Sequence, residues 1–307
     1  MLQIMIPRMS AVPSRTEEHR LIDPEFLEEL ADRAAKLPSN DFVLIGDLFS
    51  ATLSEMRIGG AWKRTHSGRL RATEDALCRF LIGRSGQPLT MLDLGASDGI
   101  TTLEVFRVLR DRLGNDIRIY LADKNLSLFR FRRWSVVEYR ARDGEPILVR
   151  IGRLGLRLAK QRRGLEEARD PIANLYLRLK TFRSGLQPRG RILLINPWVC
   201  CEPSIMPIEM DCLDRDPRMV DRLNVVRASN LLHCAYFTPD QVRIAVGHAY
   251  SYLRDDGCLI ISRNDDTKEG ELERGSLWSK HRGGFERRED FGGGAEIRDL
   301  VDQWQPA

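Results

Sequence analysis

The chain has 307 residues, of which 42% are hydrophobic and 30% are charged, and its formal net charge is +4. This length and apolar content exclude a wholly disordered chain and favour one large domain with an appendage. A net charge this small does not by itself identify a partner.

The cysteines and the N-terminal residues indicate in which cellular compartment the protein is expected. The six cysteines include no CxxC pair and no histidines at zinc-ligand spacing, so we interpret them as reduced thiols and expect no metal site. Reduced thiols favour a cytoplasmic location. Residues 1–10 carry an apolar patch too short for a signal-peptide core, and no stretch approaches the roughly 18 apolar residues of a membrane span. We therefore expect a soluble protein, for which peripheral membrane contact stays open.

Residues 1–85 are interpreted as an N-terminal helical cap. A first helix begins at Pro24, because proline suits the first helical turn. The apolar stripe of this helix, which requires a partner surface, consists of Phe26, Leu27, Leu30, Ala31, Ala34 and Leu37. A second helix is predicted from an N-cap at Thr73 to Gly83.

The pattern then changes to alternating strands and helices. A short apolar strand, 89–94, enters a glycine loop, and a helix over 100–113 follows with Gly114 at its end. A second strand, 117–123, ends on a carboxylate. Strand, loop, helix and strand over about 35 residues form a βαβ unit, which implies a parallel sheet with a right-handed crossover.

Residues 130–190 interrupt this alternation and are interpreted as an insertion. Strands over 136–142 and 146–151 flank Asp143-Gly144, a strong hairpin signal. The stretch 154–182 is predicted to be helical, with a break at Asp170-Pro171.

The insertion is basic: residues 126–191 contain 17 Lys and Arg against 6 Asp and Glu. Three interpretations stay open: a solvated charged face, a site for an anionic acceptor or nucleic acid, and a face for an anionic membrane surface. Few aromatic residues interleave with the basic ones, so nucleic acid is not favoured.

After the insertion the strand–helix alternation resumes. The elements predicted there are a strand over 191–196, a segment over 205–213, a strand over 223–227, a helix over 239–253 and a strand over 258–263. The tail over 275–280, 284–291 and 295–301 predicts a terminal antiparallel hairpin.

The glycine loop is the sharpest feature for function. It runs from Asp93 through Gly95-Ala96-Ser97-Asp98-Gly99 into a helix, which places backbone N–H groups at a helix N-terminus. The glycines let the chain turn and let a ligand approach closely. Dinucleotide enzymes use GxGxxG here, and this loop lacks that pattern.

The loop resembles motif I of the class I S-adenosylmethionine (SAM)-dependent methyltransferases, in which the loop backbone wraps the amino-acid part of SAM. The resemblance covers about residues 89–125 and 190–301. It implies an α/β, Rossmann-like methyltransferase fold with a mostly parallel seven-stranded sheet and a terminal antiparallel hairpin. The N-terminal helical segment and an inserted hairpin-helix unit are added to this domain, which spans 86–307 and is interrupted at about 130–190.

The resemblance also implies a set of cofactor contacts. Asp123 takes the position of a carboxylate that, in the family, accepts hydrogen bonds from both ribose hydroxyls of SAM. The alternative interpretation of Asp123 is a solvated aspartate in a loop. Asp211 matches the acidic position near the adenine, and Arg227 holds either the SAM carboxylate or a neighbouring acid. The implied SAM-binding residues are Asp93, Gly95, Ala96, Ser97, Asp98, Gly99, Asp123, Lys124, Asp211, Cys212, Arg227 and Asn230.

The segment 224–233 is similar to motif IV of the family, beyond which acceptors usually lie. Its Arg-x-x-Asn-x-Leu pattern resembles the chemotaxis-receptor methyltransferases, except that arginine and asparagine are three residues apart. His233 follows and is the candidate general base, because its unperturbed pKa is near neutral; a structural histidine is the alternative.

These residues predict methyl transfer from SAM to a small-molecule O- or N-nucleophile. A protein or RNA acceptor is the alternative within the enzyme class. Outside that class, the alternative is a non-catalytic SAM- or nucleotide-binding protein that uses its basic insertion for assembly. The acceptor and the oligomeric state are left open.

Overall fold

The computed structural model describes residues 24–34, 42–58, 61–63, 65–114, 116–152, 154–158, 161–163, 166–168, 171–267 and 270–306. Its helices are α1 (Pro24–Ala34), α2 (Phe42–Ser54), α3 (Arg71–Leu81), α4 (Ile100–Leu113), α5 (Pro171–Arg178), α6 (Lys180–Ser184), α7 (Pro197–Cys200), α8 (Pro239–Tyr252) and α9 (Arg298–Asp302). Its strands are β1 (Arg57–Ile58), β2 (Ala61–Trp62), β3 (Leu89–Leu94), β4 (Ile117–Asp123), β5 (Ser127–Arg133), β6 (Val136–Arg140), β7 (Pro146–Ile151), β8 (Leu154–Arg157), β9 (Gln161–Arg163), β10 (Glu166–Ala168), β11 (Gln187–Leu193), β12 (Ile205–Glu209), β13 (Leu223–Ser229), β14 (Leu253–Thr267), β15 (Gly270–His281) and β16 (Gly284–Phe291).

The main sheet has seven strands in the order β12-β4-β3-β13-β14-β15-β16. The first five run parallel, and β14, β15 and β16 form an antiparallel meander, which confirms the predicted terminal hairpin. The tail segment at 295–301 is not a strand, because the chain forms the short helix α9 there. Strand order reverses at β3, since β4 lies on one side of it and β13 on the other. Ligands of such sheets bind beyond the carboxyl ends of the strands at this switch point.

Side chains of β3 alternate between the two covered faces of the sheet. Met91 packs under α3 and α4, whereas Leu92 and Leu94 pack against α8 and its neighbours. Each fully buried leucine of this kind contributes about 1.5–3 kcal/mol relative to an exposed one. Strand β3 is therefore packed on both faces, and this packing fixes the position at which the glycine loop begins.

The insertion forms a second, antiparallel sheet in the order β11-β5-β6-β7-β8. The predicted hairpin is confirmed as β6 and β7, and Gly144 takes a φ of +83° in its turn. Helices α1 and α2 pack on one face of this sheet, and α5 and α6 pack on the other. Leu27, Leu30 and Ala34 of the predicted stripe thus pack on the insertion, whereas Phe26 and Ala31 are exposed and Leu37 lies outside the described residues.

Two predictions in this region are wrong. The helix predicted before the break at 170–171 is wrong: β8 extends the insertion sheet as its edge strand, and a small β9–β10 hairpin follows. The helical part predicted after the break is confirmed as α5 and α6. Hydrogen bonds to β7 satisfy the backbone of β8 and outweigh its local helical preference. The strand predicted over 191–196 is β11, which pairs with β5, so the main sheet resumes only at β12.

Helix α3 begins at Arg71, two residues before the predicted N-cap Thr73. The carboxylate of Glu273, on β15, accepts hydrogen bonds from the amides of Ala72 (2.7 Å) and Thr73 (2.9 Å). A residue distant in sequence therefore caps the helix. In the described part of the chain, none of the helices is long and apolar enough to cross a membrane.

Candidate functional site

The loop between β3 and α4 is held against the end of β4. Gly95, Ser97 and Gly99 have φ values of +71°, +58° and +86°, so the loop turns through left-handed conformations. The amides of Gly95 and Ala96 donate to the Ala122 carbonyl at 2.8 and 3.1 Å. The loop is therefore a preformed turn whose first amides are already paired.

A buried ion pair joins the ends of β3 and β13. Arg227 and Asp93 lie opposite each other in register, and Arg227 donates to Asp93 through Nε (2.8 Å) and Nη2. Thr102 of α4 also donates to Asp93, and Thr101 Oγ1 lies 3.3 Å from Arg227 Nη2. Arg227 is fully buried, yet its Nη1 has no hydrogen-bond partner among the described groups. An unsatisfied buried guanidinium nitrogen is costly, which marks this atom as a place for an acceptor.

Asp123, at the end of β4, is buried and bound by three donors. Its Oδ1 accepts from the Asn125 amide (2.9 Å) and from the ammonium group of Lys63, and its Oδ2 accepts from the Ser97 amide (3.0 Å). Lys63 also donates to the Asn125 carbonyl at 3.2 Å. An ionised carboxylate offers about four acceptor positions, so one stays open, on Oδ2. Lys63 was not identified from the sequence, where nothing distinguishes it from a surface lysine.

Asp98 points away from the loop surface into the N-terminal helices. It accepts from Ser50 on α2, from the Ile100 amide (3.1 Å) and from Asn196 Nδ2 (3.4 Å). Asn196 also donates to the Gly46 carbonyl at 3.0 Å. Complete burial raises the pKa of Asp98, although its hydrogen bonds oppose the shift. Asp98 therefore ties the loop to α2 and to the start of α7.

Lys124, Asp211 and Cys212 come together beside the end of β4. Lys124 Nζ lies 3.0 Å from Asp211 Oδ2, and this hydrogen bond raises the pKa of Lys124 against the opposing effect of burial. Burial raises the pKa of Cys212 to about 12, so its thiol stays protonated. Its carbonyl lies 3.1 Å from His248 Nδ1. Asp211 follows β12, next to β4 in the sheet, so the two acidic positions share one edge.

Asn230 directly follows β13 and takes a left-handed conformation with a φ of +58°. Its side-chain amide donates to Asn264 Oδ1 (3.1 Å) and accepts from the Asn264 backbone amide (2.8 Å). This reciprocal pair fixes the ends of β13 and β14 relative to each other. Leu231 then lies over the loop, because a Cβ at Gly95 would sit 3.0 Å from its side chain.

His233 lies beyond this turn, with its ring centroid 4.2 Å from that of Tyr236. Burial is the main cause that lowers the pKa of His233, and the positive charge of Arg263 lowers it further. The ring is therefore neutral at pH 7. Nδ1 lies 3.3 Å from the Ala235 amide, which can only donate. The neutral ring then carries its proton on Nε2 and offers a donor on that side.

Two glutamates near Arg227 were not identified from the sequence. Burial, together with the charge of Glu104, raises the pKa of Glu74 to about 7. Burial also raises the pKa of Glu104, whose Oε1 accepts from the Gly68 amide (2.7 Å). Its Oε2 is buried and has no partner among the described residues. Glu74 lies in the first turn of α3, a placement equally typical of ordinary helix N-termini, and Glu104 lies in the N-terminal half of α4. Among the described residues, no group of three or more His, Cys, Asp or Glu could hold a metal ion.

No family model matches this sequence, and no curated protein matches it. Solved structures match at low identity. A Methanococcus maripaludis protein assigned as a SAM-dependent methyltransferase is 11% identical, with 85% of this chain and 70% of that chain covered and a TM-score of 0.31. The methyltransferase domain of a citrinin polyketide synthase is 17% identical, with 64% and 35% covered and a TM-score of 0.34. A protein of Bacillus halodurans assigned as a methyltransferase is 12% identical, with 63% and 53% covered and a TM-score of 0.29.

The chain spans about a third of the polyketide synthase structure and about half of the Bacillus structure. At these identities and TM-scores, nothing about the chemistry of this chain follows from them. The fold class rests instead on the seven-stranded sheet itself, with its parallel strands, its terminal hairpin and the glycine loop after β3. The fold is of the Rossmann-like, class I methyltransferase type, as the sequence resemblance implied.

Proposed function

We propose that this chain is a SAM-dependent methyltransferase that acts on a small-molecule O- or N-nucleophile. The observation that carries the proposal is Nη1 of buried Arg227, which has no hydrogen-bond partner among the described residues, while the same guanidinium binds Asp93 on the strand that enters the glycine loop. A cationic donor at Arg227 and an anionic acceptor at Asp123 suit the two polar ends of SAM, its carboxylate and its ribose. The six cysteines are unpaired thiols, which suits an enzyme of the cytoplasm.

The residues present fit the cofactor. Arg227 Nη1 would donate to the SAM carboxylate, which satisfies a nitrogen that is otherwise buried without a partner. The open acceptor position on Asp123 Oδ2 would take one ribose hydroxyl. The second hydroxyl would have to share Oδ1 with Lys63, so Lys63 adjusts when the cofactor binds.

SAM, when bound, supplies a methyl group that is already activated on its sulfonium. The chain therefore has to hold donor and acceptor in line and exclude water, and proximity of this kind accounts for much of the rate enhancement. The Asn230–Asn264 pair keeps the end of β13 rigid, and Leu231 provides an apolar wall over the loop. Acceptors would approach from the side of the N-terminal segment and the insertion.

Isothermal titration with SAM and S-adenosylhomocysteine tests the proposal. We expect both to bind, and we expect Asp123→Asn to weaken binding about tenfold to a hundredfold, because hydrogen bonds to a charged acceptor contribute about 1.5–3 kcal/mol. Asp240→Asn is the matched control, since its side chain is 88% exposed at the start of α8. Absence of binding by both ligands to the folded chain removes the proposal. Unchanged affinity in Asp123→Asn overturns only the ribose assignment.

A second candidate function is a non-catalytic SAM- or nucleotide-binding protein that uses the basic insertion for assembly. It is favoured by the internal pairing of Asp123 with Lys63 and by the excess of 11 basic residues over 126–191. Under this function the chain binds SAM, or ADP in its place, and releases no S-adenosylhomocysteine with small-molecule, protein or RNA acceptors. Turnover with any acceptor in such a panel decides for the enzyme.

We expect His233→Ala to reduce turnover by less than about tenfold, whereas loss of a general base costs about 10²–10⁴. The reason is the Nδ1 contact with the Ala235 amide, which leaves Nε2 protonated at neutral pH. The pH profile of turnover checks the assignment. A base role predicts an acid limb below pH 6.5 that disappears in the variant, because the pKa of His233 is lowered. A hundredfold loss together with that change would establish His233 as the base.

A further inference from the structure

Exposed apolar side chains concentrate on one end of the insertion. Of the eleven large hydrophobic side chains that are exposed in the described part of the chain, six lie between residues 134 and 193. Leu193 pairs with Ser127, at the other end of β5 from Trp134, which leaves five. Trp134 is 74% exposed, and Ile172 and Leu175 are 64% and 62% exposed. Such a concentration on a small area is typical of an interaction surface.

Helix α5 is apolar on both of its faces. Ala173 and Tyr176 point inward and pack on the insertion sheet. Ile172, Leu175 and Leu179 recur at helical spacing on the other side and are exposed. The outer side of α5 and of the residue that follows it is therefore both apolar and exposed.

Trp134 connects the β5–β6 turn to α6. It sits at the tip of that hairpin with a φ of +51°, and its ring centroid lies 6.4 Å from that of Phe182 on α6. The guanidinium carbon of Arg133 lies 4.5 Å from the Trp134 ring and 5.3 Å from the Phe182 ring. Because Leu179 directly precedes α6, the turn and the outer face of α5 adjoin each other.

The segments that form this end, 131–137, 149–152 and 171–189, are named the insertion tip. They contain seven lysines and arginines and no aspartate or glutamate. Two of these cations are paired with acids outside the tip: Arg150 Nη2 lies 2.7 Å from Glu25 Oε2, and Arg183 Nε lies 2.8 Å from Oε2 of buried Glu138. Burial would raise the pKa of Glu138, but its hydrogen bonds from Arg183, Tyr176 and Arg140 outweigh burial and lower it. The insertion tip thus presents exposed apolar groups together with a net positive charge, to which Arg132, Arg178, Lys180 and Arg189 contribute.

We infer that the insertion tip docks the protein on an anionic lipid bilayer. Tryptophan and aliphatic side chains with surrounding cations suit the headgroup boundary, where apolar groups enter by several ångströms and each cation contributes about 1 kcal/mol against anionic lipid. Aliphatic side chains do not stack on bases, which disfavours single-stranded nucleic acid. A second copy of the chain would bring like charges together.

The docking surface lies away from the candidate cofactor site. Strand β5 begins at Ser127, close to Asn125 and Asp123, and ends beside Trp134 seven residues later. At 3.2–3.4 Å per residue this separates the two by roughly 20 Å. Docking therefore leaves the edge of the main sheet free, and the inference does not depend on SAM binding.

Cosedimentation of the full chain with vesicles tests this inference. Vesicles of phosphatidylcholine alone are compared with vesicles that also contain phosphatidylserine, at low salt and at about 0.15 M salt. We expect binding only to the anionic vesicles, weakened by salt, and at least tenfold weaker for Trp134→Ala and for Leu175→Asp. Ile244→Asp on α8 is the matched control, because Ile244 is 47% exposed on a remote face.

A charge-reversed variant, Arg178→Glu with Lys180→Glu, keeps the apolar groups and should lose the preference for phosphatidylserine. If circular dichroism shows that Leu175→Asp does not fold, this charge-reversed variant still tests whether the insertion tip binds anionic vesicles. Equal binding to both vesicle types, no binding, or unchanged binding in these variants overturns the inference. A dimer in sedimentation equilibrium that Leu175→Asp dissociates would assign the surface to self-association instead.

Discussion

Arg227→Met is expected to lower the free energy of unfolding by about 3–5 kcal/mol, because it leaves the carboxylate of Asp93 buried without its cation. It should also abolish measurable SAM binding, since the unpartnered Nη1 is removed. Urea unfolding and isothermal titration measure the two effects. Arg263→Met is the control for stability: Arg263 pairs with Asp265 on the partly exposed end of β14, and such pairs contribute about 0–1 kcal/mol.

Two further variants separate the structural role of Arg227 from the ligand role. Asp93→Asn combined with Arg227→Met should recover much of the lost stability, because a neutral amide still accepts from Thr102. Asp93→Asn alone retains the guanidinium and should keep SAM affinity within tenfold, whereas the double variant should not bind. Wild-type affinity in the double variant would mean that Arg227 holds only Asp93 and contacts no cofactor.

Gly99→Ala is expected to be the most destabilising change in the glycine loop, at about 3–5 kcal/mol. An added Cβ would lie 2.2 Å from Leu121 Cδ1 and 3.1 Å from Val199 Cγ2, so the sheet and α7 would have to move. The residue also has a φ of +86°, which costs a non-glycine residue about 1–2 kcal/mol. Urea unfolding measures the sum.

Gly114→Ala separates these two contributions, because Gly114 ends the same helix with a φ of +62° and has nothing within 4 Å of an added Cβ. Its cost should be about 1 kcal/mol. If the clash with Leu121 dominates at Gly99, then combining Gly99→Ala with Leu121→Ala should cost less than the two changes summed. Equal costs for Gly99→Ala and Gly114→Ala would show that backbone conformation alone requires the glycine.

Much of the main domain could be predicted because its signals are local. The period of apolar residues places α4 and α8, and Gly114 and Thr238 end and begin them through contacts within a few residues. The positive φ of Gly95 and Gly99 could also be predicted locally, because a tight turn from a strand into a helix requires residues without a Cβ.

The structure of the insertion could not be predicted from local sequence signals. The apolar run around Ile192 fits an edge strand of either sheet, and only pairing with β5 assigns it to the insertion. The segment from Leu154 has alternating and helical features together, and the ladder with β7 decides in favour of a strand. Pairing partners lie tens of residues away, so a local window holds no information about them.

In the candidate site, too, some features follow from the local sequence and others depend on contacts between distant residues. The sequence by itself determined which chemical groups end β3, β4 and β13: the loop with Asp93, then Asp123, then Arg227. Only the tertiary structure decided their partners, which are Arg227 for Asp93, Lys63 for Asp123 and α2 for Asp98. The physical reason is range: turn geometry and periodicity act between neighbours in the chain, whereas these ion pairs and hydrogen bonds join residues from 48 to 134 positions apart.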